Sequence, residues 1–294
     1  MIIIEKNSGF ISGKTMMICA MLLFLFQVQI YGQTDFKVVL DAGHGGKDPG
    51  RPAKNYSEKD IAFSIVLQLG KKLDAIDDIE VIYTRDKDVF VDLKERGRIA
   101  NEADADLFVS VHCNAFHTQA DGTETYVLGL HANKQNFEVA KHENSVIFLE
   151  DNYEEKYEGF DPNSPEAVIG MTLMQEDFLD QSLFLASNIQ NNFREDLKRT
   201  DRGVKQAGFV VLHQTYMPSV LIETGFITNN SEGAFLNSNS GQDKVSGAIF
   251  NAIKAYKKNL DENLVIEEEP IAVVSAPSKV YPGIDFKVHI SSGK

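Results

Sequence analysis

The sequence has few cysteines, few basic residues for its acidic ones, no long apolar run and no internal repeat. Each shortage removes a class of protein. Only Cys19 and Cys113 are present. Cys19 falls in an apolar leader, so the mature chain keeps one thiol and no internal disulfide, and its fold must rest on a hydrophobic core. With 43% hydrophobic and 24% charged residues over 294 positions, such a core is available. Lys and Arg number 29 against 43 Asp and Glu, a formal net charge of −14. That balance argues against nucleic acid as a partner, because binding it begins with neutralising phosphates. No fixed period recurs, which argues against a solenoid. There is no G-x-S-x-G nucleophile elbow. Gly43 to Lys47 lacks the first glycine of a phosphate loop and the Ser or Thr after its lysine.

The main apolar run, Met16 to Val28, follows Lys14 and leads into Gln29-Ile30-Tyr31-Gly32. A basic flank, a short apolar core and a small terminal residue read as a secretory signal peptide over residues 1–32, cleaved after Gly32. The run falls short of the roughly 20 residues of a membrane span. A secreted chain with no stable membrane span in its mature form is therefore expected. Residues 33–260 read as the catalytic domain. Residues 261–282, rich in Glu, Pro, Ser and Ala, have linker chemistry. Phe286 to Ile290 reads as the start of a further module, with the chain ending within or just before it.

Phe36 to Leu40 predicts a strand, and Asp41 to Gly50 a glycine-rich loop. Ser57 and Asp60 have the spacing of a capping box. Ile61, Ala62, Ile65, Val66, Leu69 and Leu73 then recur at helical spacing. Val81–Tyr83, Leu107–His112, Thr123–Leu128, Phe209–Leu212 and Val220–Ile222 predict further strands. Helices are expected over Val91–Ala103, Asn136–Leu149, Gln181–Leu197 and Lys244–Leu260. Strands alternating with helices indicate an α/β fold, a largely parallel twisted sheet with helices on both faces, plus a helical insert at about 131–199.

In a parallel sheet, chemistry gathers beyond the carboxyl ends of the strands. His44, His112 and Glu223 fall at such ends, and Glu58 opens the helix that returns to the same edge. Two His and one carboxylate, with a position open for water, is a catalytic zinc set. The ligands are separated by 14 and 54 residues, so spacing alone specifies less than a compact H-E-x-x-H would. Asp41 either orients His44 through its second ring nitrogen or caps the loop. Asn114 shares a strand face with His112 and is a candidate for substrate or supporting contacts. Cys113 points the other way and reads as core. His117, His131, His142, His213 and His289 read as surface or packing residues.

These segments resemble a known family. Asp41-Ala42-Gly43-His44-Gly45-Gly46, Glu58, Ser110 to Ala115 and Pro218 to Ile227 occur in order and look like zinc-dependent N-acetylmuramoyl-L-alanine amidases of the cell-division type. Arg85, Arg96, Asn101 and Arg202-Gly203-Val204-Lys205 look like that family too. The match covers about Phe36 to Leu260. Cys113 departs from it, standing where the family often has Ala. The resemblance implies that His44, Glu58 and His112 hold Zn2+, and that Glu223 moves protons as the amide between N-acetylmuramic acid and L-alanine is hydrolysed. Arg202 becomes a candidate for substrate contact. The implied substrate is peptidoglycan, the implied place the periplasm or cell envelope of a bacterium, and the implied role wall remodelling or daughter-cell separation. Two other readings use the same residues: a non-catalytic peptidoglycan-binding protein, and a zinc peptidase cutting another wall bond.

The insert is acidic in its middle and broken by Pro162 and Pro165. It is either a solvated helical excursion or, as the resemblance implies, a lid that covers the metal until a protein activator displaces it. Glu143, Glu150, Glu166 and Glu176 are the candidate inhibitory carboxylates, and the sequence does not choose among them.

Overall fold

The computed structural model describes residues 35–53, 56–130, 134–157, 161 and 176–268. The leader, Glu166 and the expected module after 282 lie outside them. Six strands form one sheet: β1 (Phe36–Ala42), β2 (Ile79–Tyr83), β3 (Leu107–Asn114), β4 (Thr123–Leu128), β5 (Asp201–Ala207) and β6 (Ser219–Phe226). Their spatial order is β2-β1-β3-β6-β4-β5. Every neighbouring pair is parallel except β4 with β6, which is antiparallel. The sheet is thus mixed but largely parallel, as expected, with β4 and β5 running opposite to the other four.

Among the described residues the helices are α1 (Glu58–Leu73), α2 (Leu93–Glu102), α3 (Lys134–Asn144), α4 (Tyr153–Lys156), α5 (Leu179–Glu195), α6 (Val210–His213), α7 (Asn230–Leu236) and α8 (Asn239–Glu268). A 3-10 turn, Ser145–Leu149, follows α3. The apolar stripe Ile61, Ile65, Leu69 and Leu73 of α1 is fully buried, and α1 packs on β1, β2 and β3. Strands β3 and β6 are buried along their whole length, so both faces of the sheet are covered.

Several expectations need correcting. Phe209–Leu212 is not a strand: Val210–His213 is a single helical turn, and the strand precedes it at Asp201–Ala207. A four-residue apolar run carries too little periodicity to separate the two. Ser57 makes no side-chain capping bond. Its backbone is drawn into a bridge with Pro52, so the capping box does not form. Helix α8 continues to Glu268, past the expected start of a linker at 261.

Side chains alternate across a sheet, so register decides which residues share a face. Asp41 pairs with Ser110, Ser110 with Leu221, His112 with Glu223, and Glu223 with Glu124. All these side chains therefore project from one face. The same face carries Val39, Phe108, Tyr126, Leu128 and Leu221, which form one buried cluster with Val139, Ala140, Val146, Ile147 and Tyr157 of the insert. The part of the insert from Lys134 to Tyr157 is therefore not a solvated excursion; it is packed over the face that bears the polar row.

Candidate metal centre

His44 follows β1 in the left-handed region, at φ 60°. A non-glycine residue there is uncommon and is tolerated where its surroundings enforce it. Two arginines supply that enforcement. Arg85 donates from Nε to the Ala42 carbonyl at 2.9 Å and from Nη2 to the Gly43 carbonyl at 3.1 Å. Arg96 donates from Nη1 to the Ala42 carbonyl at 2.8 Å and from Nη2 to the His44 carbonyl at 2.9 Å. The loop glycines leave room for the site. A Cβ on Gly43 would come within 2.4 Å of the His112 ring, and one on Gly50, at φ +74°, within 2.6 Å of Glu58 Oε2.

His44, Glu58, His112 and Glu143 offer one ligand atom each within 4.8 Å of one another, all from buried residues. His44 Nε2 is 3.2 Å from Glu58 Oε1 and 3.2 Å from Glu143 Oε2. His112 Nδ1 is 3.4 Å from Glu58 Oε1 and 3.1 Å from Glu143 Oε2. The two imidazoles meet edge to face, with centroids 4.8 Å apart. Despite these approaches, His44 Nε2, His112 Nδ1 and both Glu143 oxygens lack hydrogen-bond geometry to any partner. Buried polar atoms that converge without hydrogen bonds need another source of satisfaction, and a divalent cation satisfies all of them together. The donor set of nitrogen and carboxylate oxygen fits zinc.

Each ring is aimed from behind. His44 Nδ1 is bonded to Asp48 Oδ2 at 2.7 Å, which leaves Nε2 for the centre. Asp48, not Asp41, is the residue that orients His44. Asp41 neither touches that ring nor caps the loop: it accepts hydrogen bonds from Thr84, Ser110 and Arg96, each at 2.6 Å. Burial pushes the Asp41 carboxyl up, but Arg96 and the two hydroxyls outweigh it, so its pKa is lowered. Its role is to hold the Arg96 clasp. Glu58 is fixed through both oxygens, accepting from the Cys113 amide at 2.8 Å and the Arg51 amide at 2.6 Å. Cys113 is fully buried, 3.3 Å from Thr224 Oγ1, as a core residue should be.

Glu223 pairs with His112 across the sheet, and both its oxygens are buried without a hydrogen bond. Burial, and then the nearby charge of Glu143, push its carboxyl well above the usual range. His112 shows the reverse balance. Burial lowers its pKa, but the carboxylates of Glu143 and Glu58 close to the ring outweigh burial and carry it to about 9.

Of the four insert carboxylates, the structure brings only Glu143 to the centre among those it describes. Glu150 accepts from the Leu93 amide at 2.9 Å and from the Tyr157 hydroxyl at 2.9 Å, so it serves the start of α2 instead. Glu176 begins a short 3-10 turn, and its side chain lies outside the described residues, as does all of Glu166. Asn114 and Arg202 both reach Glu124, at 3.4 Å from Asn114 Nδ2 and 2.5 Å from Arg202 Nε. Sequence reasoning missed Glu124, Asp48 and Arg51. The i,i+4 spacing of Asp48 from His44 was the one available signal.

A buried His and carboxylate centre at the carboxyl edge of a largely parallel sheet, with a free carboxylate beside it, defines a metal-dependent hydrolase. The N-acetylmuramoyl-L-alanine amidase family profile matches residues 38–255. The chain belongs to that family. It is 32% identical to the N-acetylmuramoyl-L-alanine amidase AmiA of Salmonella typhimurium over 225 residues, 74% of this chain and 75% of that protein. The N-acetylmuramoyl-L-alanine amidase of Clostridium difficile 630 superposes with a TM-score of 0.58 at 28% identity, over 76% of this chain and 98% of that one. The CwlD amidase of Clostridioides difficile, solved in complex with the GerS lipoprotein, superposes with a TM-score of 0.55 at 26% identity, over 76% and 100%.

Proposed function

We propose that the chain is a zinc-dependent amidase that cleaves the bond between N-acetylmuramic acid and L-alanine in peptidoglycan, and that its insert holds it inactive. The observation that carries this reading is the meeting of His44, Glu58, His112 and Glu143 as a buried cluster in which His44 Nε2 and His112 Nδ1, the ring nitrogens that face its centre, have no hydrogen bond. His44, Glu58 and His112 would hold the metal. Zinc, when bound, supplies the Lewis acidity that makes water a nucleophile near neutral pH. Glu223 takes a proton from the attacking water and returns it to the departing L-alanine nitrogen, as its position beside His112 supports. A pure binding protein has no use for such a proton carrier, and family membership favours the amide over a peptide bond elsewhere in the wall.

Glu143 gives the insert a function. It comes from the covering element and stands between the two imidazoles, where a substrate carbonyl and water have to enter. Helix α3 is tied down next to it. Asn144 Nδ2 donates to the Gly208 carbonyl at 2.7 Å, and the Val210 amide donates to Asn144 Oδ1 at 2.8 Å. Activity then requires α3 to leave, and an envelope protein that binds the insert is the agent we assign to that step. The CwlD–GerS complex supports a lipoprotein partner as one chemical possibility. The leader, residues 1–32, delivers the chain to the bacterial envelope or periplasm, where wall remodelling or cell separation takes place.

The test is digestion of purified peptidoglycan with added zinc and with chelator, followed by mass spectrometry. Stem peptides beginning with L-alanine, released only with zinc and faster from a variant lacking α3, are expected. Release of peptides cut elsewhere, or none from any form, would overturn the reading.

A further inference from the structure

Glu124 is fully buried and lies directly across the sheet from Glu223. Two carboxylates opposed on neighbouring strands repel. The cluster around Glu124 more than removes that repulsion. Arg202 Nε reaches Glu124 Oε1 at 2.5 Å, and Lys205 Nζ reaches the same oxygen at 2.7 Å. The Tyr126 hydroxyl donates to Oε2 at 2.6 Å. One buried anion thus gathers two cations, where one would neutralise it, on a chain whose net charge is −14. Both cations keep some access to solvent, with 28% of the Arg202 side chain and 16% of Lys205 exposed. Stability does not call for a second cation on a carboxylate already paired and hydrogen-bonded.

We infer that Arg202 and Lys205, held by Glu124, form a carboxylate-recognition site for the stem peptide of the substrate, which makes the enzyme selective for stems with a free acid close to the scissile amide. The inference rests on the amidase reading. Distance sets which acid. His112, Glu223 and Glu124 form one row across β3, β6 and β4, and Lys205 on β5 pairs with Tyr126, two residues along β4 from Glu124 and on the same face. Neighbouring strands lie about 4.8 Å apart, so the cations stand roughly 10 Å from Glu223. An extended peptide covers about 3.5 Å per residue, which places the second or third residue of the stem beside them. The carboxylate that follows L-alanine is the chemical match. An amide in its place would leave the extra charge unanswered.

The test compares N-acetylmuramoyl-L-alanyl-D-glutamate with its D-isoglutamine amide, using the full chain activated as in the digestion above. Arg202→Gln and Lys205→Gln each leave Glu124 one cation, so neither strands a buried charge. The wild type should favour the free acid by about tenfold in kcat/KM, expressed in KM. Either variant should lose that preference through a raised KM on the acid, with a smaller change on the amide. Glu124→Gln should shift the preference the other way, toward the acid, because it frees a second cation. A merely structural cluster would instead make all three variants lose ground on both substrates, and that result, or a wild type indifferent to the amide, overturns the inference. If the wild type cuts neither compound, the amidase reading fails separately. Calorimetric binding of L-alanyl-D-glutamate to the same proteins then decides: binding lost in Arg202→Gln and Lys205→Gln supports the site, and binding unchanged or absent overturns it.

Discussion

Two parts of the chain bring a carboxylate to His44, and they hold it in opposite ways. The loop after β1 leads into α1, which delivers Glu58 with both oxygens fixed by the amides of Cys113 and Arg51. The insert delivers Glu143 with neither oxygen in a hydrogen bond, only Arg51 Nε at 3.7 Å behind it. A side chain fixed through backbone amides is part of the scaffold, since removing it strands buried donors. A side chain held chiefly by electrostatic attraction within the centre leaves with its helix. The contrast separates a permanent ligand from a displaceable one. Glu223, free of hydrogen bonds but carried on the central strand β6, belongs to the scaffold by position and to the chemistry by its freedom.

The comparison breaks most clearly at Glu223. Glu223→Gln should lose about 10²–10⁴-fold in turnover, the usual worth of a positioned proton carrier. Zinc content, measured by atomic emission after dialysis, should stay at the wild-type level. Normal turnover would remove Glu223 from the mechanism. Loss of zinc would make it a ligand.

The next pair tests the contrast itself. Glu58→Gln and Glu143→Gln make the same chemical change on either side of the centre. Glu58→Gln should weaken zinc binding by about a hundredfold or more, since it removes a ligand and disturbs two buried amides. Glu143→Gln should instead raise basal peptidoglycan digestion by about tenfold, a shift of about 1.4 kcal/mol in the closed-to-open balance. Competition with a chelating dye reads the first, and dye release from labelled wall the second. Equal losses in both variants would make Glu143 an ordinary ligand and end the lid reading.

A smaller effect belongs to Asp48. Asp48→Asn removes the charged acceptor behind His44 Nδ1, and metal affinity should fall by about 10–100-fold while the fold is kept. Affinity unchanged within twofold would show that the Arg85 and Arg96 clasps alone aim the ring.

How far the sequence discloses this arrangement depends on what burial imposes. Strands β1, β3 and β6 are buried on both faces, so they appear as apolar runs, and His44, His112 and Glu223 stand out as polar residues at their ends. Strand β5 reads Asp-Arg-Gly-Val-Lys-Gln-Ala and is only partly buried, so no apolar pattern announces it. Hydrophobicity has no direction, so the antiparallel course of β4 against β6 could not be read either. Without that course, Glu124 is an unremarkable acid three residues beyond Asp121. The sequence offers Asp41 the His44 ring or the loop as equal alternatives, since both are neighbours in the chain, whereas Arg96, 55 residues later, takes that carboxylate. Glu143 was one of four equal candidates, since only packing of Val139 and Ala140 on the sheet turns that helix toward the metal centre.

The finest test of the lid lies one residue away from the metal centre. Asn144 follows Glu143 in the chain and is not one of the grouped metal-site residues, yet it joins the end of α3 to Gly208 and to Val210 at the start of α6 through two hydrogen bonds. Asn144→Ala should cost the closed arrangement about 1–2 kcal/mol, the net worth of one or two such bonds. If closure and inhibition are the same event, basal digestion should rise by several fold with zinc affinity unchanged, and limited proteolysis should cut first within the insert. The effect should vanish when Asn144→Ala is placed on Glu143→Gln, because a lid without its plug no longer inhibits. Additive gains in the double variant would mean that α3 blocks the site by bulk and that Glu143 only accompanies it.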